Sequence, residues 1–513
     1  MNKKLISTFI LIFFTNIVFG QAPTIQWQKS FGGSDNEVDN SIYQTSDGGY
    51  IIAGTSRSIN GDITGSHGDN DAWVVKIDNN GTKQWQKSLG GTKSDRISSI
   101  KQTVDGGYIM AGSSNSNDGD VSGNRGDYDF WIVKLDNNGS IQWQKSLGGK
   151  SNDSAIDIQQ TSDNGFIVVG DTYSDNSGMF PGDVSGNHGG QDLWVVKLDN
   201  NGTIKWQKCL GGSEIEFASY IQQTSDGGYI LGGYTASING DVTSNYGGDG
   251  WIVKLNSDGT IQWQRTLGST YNDVVKSIKQ TSDGGYIVAS TVAKGDGDVL
   301  VHYGNNDIWI VKLDSNGAIQ WQKTFGGIQF DQVSSIELTS DNGYILAASS
   351  NSIDKDVTGN HGSSDYWVVK LNSNGALQWQ KSLGGSTLDT AYSIKQTLDG
   401  GYIVAGISNS NNGDVTGNHG LQDYWIVKLN PENLSINEIA SKNTVLVENP
   451  VKDLLKIHSK EKITSLQLYS IDGKLIKTSN SQNVSVKELS KGVYILKIEL
   501  ENGKVISEKI IKE

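Results

Sequence analysis

Acidic residues recur at fixed positions along this sequence, and their carboxylates are the groups best placed to do chemistry. The first register lies five residues after the first Gly of a Gly-Gly pair, which is Gly268-Ser269 in the fifth unit, and comprises Glu37, Asp95, Asp153, Glu216, Asp273, Asp331 and Asp389. The second opens a loop motif of the type Gly-Asp-Val-Thr-Gly-Asn-His-Gly, and comprises Asp62, Asp120, Asp183, Asp241, Asp298, Asp356 and Asp414. The third lies two residues before a Trp, and comprises Asp71, Asp129, Asp192, Asp249, Asp307, Asp365 and Asp423.

Two interpretations of these carboxylates remain open. Calcium takes several oxygen ligands from carboxylates, Asn side chains and loop carbonyls, and the stretch Asn117-Asp118-Gly119-Asp120 offers such groups. The second and third registers are therefore candidate calcium ligands. The alternative is that Asp side chains cap turns by accepting hydrogen bonds from nearby backbone amides. Both roles repeat equally well, so the pattern alone does not separate them.

Other polar residues of the repeat are poor candidates for catalysis. His67, His188, His361 and His419 share one loop register, but Arg125 stands there in another unit, and Arg does not ligate metals at neutral pH. Catalysis also needs an acid and a base in different environments, whereas near-identical repeats supply the same group many times. We therefore expect a protein that is not an enzyme.

The elements that position these residues come from a sevenfold repeat. Trp-Gln begins at Trp27, Trp85, Trp143, Trp206, Trp263, Trp321 and Trp379, with spacings of 58, 58, 63, 57, 58 and 58 residues. A second series, Trp-[IV]-Val-Lys, begins at Trp73, Trp131, Trp194, Trp251, Trp309, Trp367 and Trp425. Together the two series use all 14 tryptophans. Such periodic self-similarity indicates a repeat architecture.

Each unit contains four short runs rich in Ile, Val, Tyr and Trp, bounded by turn residues, which predicts four strands. Asn-Gly pairs between the third and fourth runs predict two-residue hairpins with positive φ at both central residues. The second and third runs are apolar on both faces, which suits sheets covered on both sides. The sequence therefore predicts an all-β fold.

The order of the strands indicates a closed ring. The repeats begin with a fourth-type strand near Ile25, and the last unit ends with a third-type strand, Trp425 to Leu429. Joining these two ends leaves no stray sheet edge. We expect a seven-bladed β-propeller whose N-terminal strand closes the last blade, with the long acidic loops on one face, where binding usually occurs.

The consensus repeat contains three motifs in order: Leu-Gly-Gly, Gln-Thr-x-Asp-Gly-Gly-Tyr-Ile and Asp-x-Trp-Ile-Val-Lys-Leu. This pattern resembles the bacterial propeller repeats of the SBBP family. The resemblance covers residues 24–430 and implies the propeller fold without implying an activity.

Composition changes at Pro431, where Trp disappears and Lys and Glu rise. We predict a signal peptide at 1–20, a propeller at 21–430, a linker at 431–443 and a small β-sandwich at 444–513. The last segment resembles the type A sorting domain of the type IX secretion system of Bacteroidetes. The resemblance rests on motif blocks that include Asn449, Pro450, Gly473, Lys474, Gly492 and Tyr494. It implies Sec export, handling by the type IX machinery, and release or attachment at the cell surface.

Charge and composition limit the classes of partner that the protein can bind. The net charge is −14, and residues 21–436 hold 27 basic and 46 acidic residues, which disfavours nucleic acid. The basic and then apolar start of the chain reads as a secretory signal, and no later run is apolar enough for a transmembrane segment. The one cysteine excludes an internal disulfide.

Taken together, the sequence predicts a secreted or outer-membrane-surface binding module, expected to be a monomer, that recognises a glycan or protein on its loop face. A structural or adhesive envelope component is the alternative, and a propeller-fold glycan hydrolase or lyase is less favoured. No cofactor other than calcium is expected.

Overall fold

The computed structural model describes residues 21–175, 182–432, 445–447, 450–459, 461–470, 474–501 and 505–512. The predicted signal peptide, most of the predicted linker, Asn449 and Gly473 lie outside these ranges. Every regular element in the described residues is a β-strand, so the all-β prediction is confirmed. The chain divides into two compact units between residues 432 and 433.

The described residues of the first unit form 28 strands, arranged in four-stranded antiparallel sheets. Strand β1 spans Ile25–Phe31. Sheet 1 comprises β2 (Glu37–Gln44), β3 (Tyr50–Ser56), β4 (Asp71–Ile77) and β5 (Lys83–Leu89). Sheet 2 comprises β6 (Asp95–Gln102), β7 (Tyr108–Ser114), β8 (Asp129–Leu135) and β9 (Ile141–Leu147). Sheet 3 comprises β10 (Asp153–Gln160), β11 (Phe166–Thr172), β12 (Asp192–Leu198) and β13 (Ile204–Leu210).

The remaining sheets repeat this order. Sheet 4 comprises β14 (Glu216–Gln223), β15 (Tyr229–Thr235), β16 (Asp249–Leu255) and β17 (Ile261–Leu267). Sheet 5 comprises β18 (Val274–Gln280), β19 (Tyr286–Val292), β20 (Asp307–Leu313) and β21 (Ile319–Phe325). Sheet 6 comprises β22 (Asp331–Leu338), β23 (Tyr344–Ser350), β24 (Asp365–Leu371) and β25 (Leu377–Leu383). Sheet 7 comprises β26 (Asp389–Gln396), β27 (Tyr402–Ser408), β28 (Asp423–Leu429) and β1.

Sheet 7 takes its fourth strand from the start of the repeats. Strand β1 pairs with β28 in antiparallel register, with Gln28 opposite Val427 and Phe31 opposite Tyr424. The first strand of each sheet contacts the second strand of the sheet before it, and β2 contacts β27 in the same way. These repeated four-stranded sheets are consistent with propeller blades.

The hydrophobic core lies between neighbouring sheets. The Trp of each third strand is fully buried, and the second and third strands are apolar on both faces because a sheet covers each side. One apolar cluster joins Trp73 and Ile52 of sheet 1 to Tyr424 and Ile426 of sheet 7. The rings of Trp73 and Tyr424 lie 4.9 Å apart, centroid to centroid.

A buried Lys follows each of these tryptophans by three residues. Its Nζ atom contacts the Asp of the turn between the first two strands of the same sheet, at distances between 2.8 and 3.0 Å. In sheet 1 the pair is Lys76 and Asp47. Burial acts to raise the pKa of Asp47, but hydrogen bonds from Thr45 and Lys76 outweigh it and lower that pKa to about 2. These pairs tie each first hairpin to the third strand.

The hairpins between third and fourth strands differ from the prediction. In sheet 1, the Asp78 amide donates to the Thr82 carbonyl and the Gly81 amide donates to the Asp78 carbonyl. Gly81 has a φ of 78°, whereas Asn80 is not among the residues with positive φ. The two-residue hairpin predicted from Asn-Gly is therefore wrong. A longer loop with one left-handed Gly replaces it, and the Asp78 carboxylate accepts hydrogen bonds from the Asn80 and Thr82 amides.

In the second unit, the residues that the structure describes form two sheets. The first pairs β29 (Val445–Val447), β30 (Leu454–Ser459) and β33 (Asn483–Ser485). The second, in the spatial order β32-β31-β34-β35, is formed by β31 (Ile463–Ser470), β32 (Leu475–Ser479), β34 (Gly492–Leu500) and β35 (Val505–Lys512). Leu455 and Val484 of the first sheet share one apolar core with Leu468 and Leu496 of the second.

Candidate functional site

The first-register acids are buried at or just before the start of the first strand in each sheet. The carboxylate of Asp95 accepts a hydrogen bond from the Gly91 amide at 2.7 Å and another from the Ser116 hydroxyl at 2.9 Å. The equivalent amide donates to the acid in all seven units. These side chains therefore hold the corner between one sheet and the next.

The second-register acids bind the same corner from the long loop. Each accepts a hydrogen bond from the amide of the first Gly, at 3.2 to 3.4 Å. Gly90 and Asp120 form this contact at 3.2 Å. These aspartates therefore make the carboxylate-to-amide hydrogen bonds that the turn-cap interpretation describes.

The third-register aspartates are buried where the third strand begins. One oxygen, Oδ2, accepts a hydrogen bond from a loop amide, as between Arg125 and Asp129 at 2.9 Å. Burial raises the pKa of Asp129 to about 7 and the pKa of Asp249 to about 6. Among the described residues, the other oxygen, Oδ1, has no hydrogen-bond partner in any of the seven units.

The three registers converge on one glycine in each unit. A Cβ atom on Gly90 would lie 2.6 Å from Asp95 Oδ2 and 2.9 Å from Asp71 Oδ1, and the Gly90 amide binds Asp120. The three carboxylates come from two neighbouring sheets: Asp71 belongs to sheet 1, Asp95 belongs to sheet 2, and Asp120 lies in the loop between β7 and β8 of sheet 2. Within the described ranges, no three His, Cys, Asp or Glu side chains are grouped so that they could hold a metal ion. Calcium binding stays a prediction.

The loop histidines pair with the third-register aspartates. The Nδ1 atoms of His188, His361 and His419 lie 2.7, 2.6 and 2.7 Å from the carboxylates of Asp192, Asp365 and Asp423. Each of these rings therefore contacts the aspartate four residues further along the chain.

A pocket of about 560 Å³ lies where sheets 1, 2 and 7 meet. Two of the four arginines of the chain, Arg57 and Arg96, line it together with Asn36, Asn70 and Gln422. Both arginine side chains are exposed.

A different pocket, of about 510 Å³, is lined by residues from the first strands of all seven sheets. We call it the inner-strand pocket. One representative from each strand is Ser41, Lys101, Asp157, Tyr220, Lys279, Glu337 and Lys395. The lining is not sevenfold symmetric, because the charged and aromatic groups differ from strand to strand.

Glu337 is the centre of an ion-pair network in the inner-strand pocket. Its carboxylate lies 2.7 Å from Lys279 Nζ and also contacts Lys395 Nζ. Burial acts to raise the pKa of Glu337, but the two ammonium groups outweigh it and lower that pKa to about 2. Lys279 Nζ also donates a hydrogen bond of 2.6 Å to the Tyr220 hydroxyl and lies 4.4 Å from the centre of that ring. The network fixes one wall of the pocket.

On another part of the wall, Asp157 accepts a hydrogen bond of 2.7 Å from the Ser99 hydroxyl and lies 3.5 Å from Lys101 Nζ. Burial is the main cause that lowers the pKa of Lys101, and the nearby ammonium groups of Lys395 and Lys279 lower it further.

Sequence reasoning missed this pocket. The expectation that the repeats carry no differentiated acids and bases is wrong for the first strands. The available signal was departure from the repeat: Asp157 and Tyr220 replace the Ser that occupies that position in the other five units. Two positions further on, the seven units carry Tyr43, Lys101, Gln159, Gln222, Lys279, Glu337 and Lys395.

In the second unit, four sorting-motif residues lie in described ranges. Gly492 begins β34, and the hydroxyl of Tyr494 donates a hydrogen bond of 2.9 Å to the Ser490 carbonyl. Lys474 accepts a hydrogen bond at its carbonyl from the Ser470 amide at 3.0 Å, and Pro450 precedes β30.

Comparison with known families identifies this unit. The model of the secretion system C-terminal sorting domain matches residues 449–513. The C-terminal unit is a secretion sorting domain. Its presence supports handling by the type IX secretion system and delivery outside the cell or to its surface.

Other similarities are distant. The chain is 24% identical over 350 residues to regulatory protein FlaEY of Caulobacter vibrioides, across 60% of this chain and 36% of that protein's length. The structure of Sqt1 from Chaetomium thermophilum is 12% identical, with a TM-score of 0.41, and covers 80% of this chain and 99% of its own. A fungal alcohol oxidase in complex with copper is 11% identical, with a TM-score of 0.42, over 96% and 100% of the two chains. At these levels of similarity no activity is transferred.

In the part of the chain that the structure describes, no helix has the length and apolar character needed to cross a membrane.

Proposed function

We propose that the first unit is a closed seven-bladed β-propeller of the SBBP type, completed by β1. The pairing of β1 with β28 supports closure, as does the contact between β2 and β27. The inner-strand pocket adds a third argument, because the first strands of all seven sheets contribute residues to its lining.

The propeller is a binding module that the type IX system exports, and it acts as a secreted or cell-surface protein without catalysis. The inner-strand pocket is the single observation that carries the binding function. It combines a volume within the range of small-molecule sites with convergent, differentiated polar groups.

The pocket suits a ligand better than the acidic corners of the loop face. At each corner the carboxylates already accept hydrogen bonds from backbone amides. The lining of the inner-strand pocket instead leaves hydroxyl and ammonium groups around open volume. A glycan is the ligand class that we favour, because sugars present many hydroxyl groups to such a lining.

A glycan-array screen of the full-length chain, in calcium and in chelator, tests this proposal. We expect hits that a single Ser98→Trp substitution abolishes, because Ser98 lines a pocket that occurs once and the indole would fill it. Asn411→Trp is the control, since Asn411 is exposed on one of seven equivalent loops.

The two variants separate the possible outcomes. Hits that survive Ser98→Trp would contradict the pocket and favour multivalent binding by the loop face. An array without hits would contradict glycan binding and favour the structural or adhesive role.

A further inference from the structure

Lys276 is a half-buried lysine that lines the inner-strand pocket. Among the described residues, its ammonium group has neither a hydrogen-bond nor an ion-pair partner, and burial lowers its pKa below the ordinary value. The equivalent positions of the other units carry no basic residue: they are Asn40, Ser98, Ile156, Ser219, Ser334 and Tyr392. Among the seven equivalent first-strand positions, only that of Lys276 carries a basic residue.

The described lining of the pocket carries excess positive charge. Glu337 is shared by Lys279 and Lys395, and Asp157 lies beside Lys101. Among the described residues that line the pocket, four ammonium groups, Lys276 included, face two carboxylates. This excess is local, because the whole chain carries a net charge of −14. An unpaired charge removed from water is costly, and a bound anion would offset that cost.

The rest of the lining is rich in hydroxyl groups. Ser98, Ser219, Ser334 and Thr390 face the cavity, and each hydroxyl can both donate and accept a hydrogen bond. Tyr392 adds an aromatic ring beside them. A small inorganic anion at Lys276 would reach few of these groups and use only their donor hydrogens, whereas a ligand that combines an anionic group with several hydroxyl groups would engage both parts of the lining.

We infer that the inner-strand pocket binds a small polyhydroxylated carboxylate, that is, an acidic sugar, with its carboxylate at Lys276. This inference rests on the proposed function, and it names the ligand class of the same pocket. The hydroxyl groups of the sugar contact the serines and the threonine, and the pocket volume accommodates one or two sugar rings.

Calorimetric titration of the full-length chain with D-glucuronate tests the inference. D-glucuronamide is the matched neutral ligand, because it replaces the carboxylate with an uncharged amide, and acetate is the anion without hydroxyl groups. We expect glucuronate to bind at least tenfold more tightly than either.

The protein variants test the role of Lys276. Lys276→Gln should weaken glucuronate binding at least tenfold, and Lys276→Arg should restore most of it. Lys323→Gln, which removes an exposed lysine of β21 outside the pocket, should change nothing. Thermal melts of all three variants check that each remains folded.

Several outcomes would overturn the inference: no glucuronate binding, equal binding of glucuronate and glucuronamide, equal binding of acetate, or an unchanged affinity in a folded Lys276→Gln variant. If neutral glycans still bind on the array and Ser98→Trp removes them, the inference is wrong and the proposed function stands. If no glycan binds at all, both are wrong.

Discussion

The indole nitrogen of Trp425 donates a hydrogen bond of 2.8 Å to the side-chain oxygen of Gln28, 397 residues away in the chain. The same contact links the third and fourth strands within other sheets, as between Trp73 and Gln86 at 2.8 Å. Strand β1 therefore reproduces in sheet 7 a contact that is local elsewhere. The side chains, as well as the backbone pairing, identify β1 as the missing fourth strand.

The first prediction concerns this contact. Gln28→Ala should lower the free energy of unfolding by about 1–3 kcal/mol, because it leaves the buried indole N–H of Trp425 without a partner. Gln144→Ala is the matched control: both glutamines donate to a loop residue, but among the described residues Trp131 makes no such indole bond. Denaturant unfolding of the two variants measures the difference. Equal losses would contradict the importance of the contact.

Removal of the whole strand is a stronger version of the same test. Deletion of residues 21–31 should lower the melting temperature markedly, because it exposes the edge of β28 and opens the core around Trp73. A normal melt would show that the closure scheme is wrong.

The second prediction is a pH dependence. Burial raises the pKa of Glu37 to about 6 and that of Asp129 and Asp171 to about 7. The folded state therefore binds more protons than the unfolded state between about pH 4 and pH 7, so stability falls as pH rises through this window. We expect a higher melting temperature at pH 5 than at pH 8, measured in chelator.

Asp129→Asn should flatten this slope, because it removes one of the titrating groups while it keeps the shape of the side chain. The carboxyls with lowered pKa, such as Asp47, are almost fully ionised in both the folded and the unfolded state between pH 5 and pH 8, so they contribute little to this comparison. A melting temperature that is equal or higher at pH 8 would contradict the buried-carboxyl account.

The third prediction tests calcium. A calcium ion at the glycine corners would satisfy the unpartnered Oδ1 atoms of the third register, such as that of Asp71. The calcium hypothesis predicts a rise in melting temperature on addition of millimolar calcium and its reversal by chelator. Magnesium is the control ion, because it demands a tighter octahedral shell. An unchanged melt with calcium and chelator would leave these aspartates as turn caps only.

The fourth prediction concerns export. A chain truncated before residue 449 lacks the sorting domain and should accumulate inside the outer membrane, whereas the full chain reaches the surface or the medium. Cell fractionation and immunoblotting measure this. A second variant, Lys474→Ala, tests whether replacement of a single residue of the sorting motif is enough to abolish export. Export of the truncated chain would contradict the role of this domain.

The sequence determined the strands and their order. Regular runs of Ile, Val and Tyr and fourteen tryptophans in two series predicted four strands per unit, because such residues fit a buried pleated surface. The permuted start near Ile25 predicted the pairing of β1 with β28, and the structure contains that pairing. The turn type at Asn80-Gly81 was misjudged, because the Asp78 side chain selects a longer loop.

Tertiary structure alone decided where the distinctive chemistry lies. The repeated acids attract attention in the sequence, yet folding brings them to backbone amides such as those of Gly90 and Gly91. Lys276, Glu337 and Tyr220 look like tolerated exceptions in a repeat, and they are dozens of residues apart. They form one pocket because the first strands of all seven sheets line the same cavity, so single deviations from the repeat meet across it. The periodic sequence specifies the strands and turns that every unit shares. Which of the non-repeated side chains come together depends on contacts between units, and these form only in the folded protein.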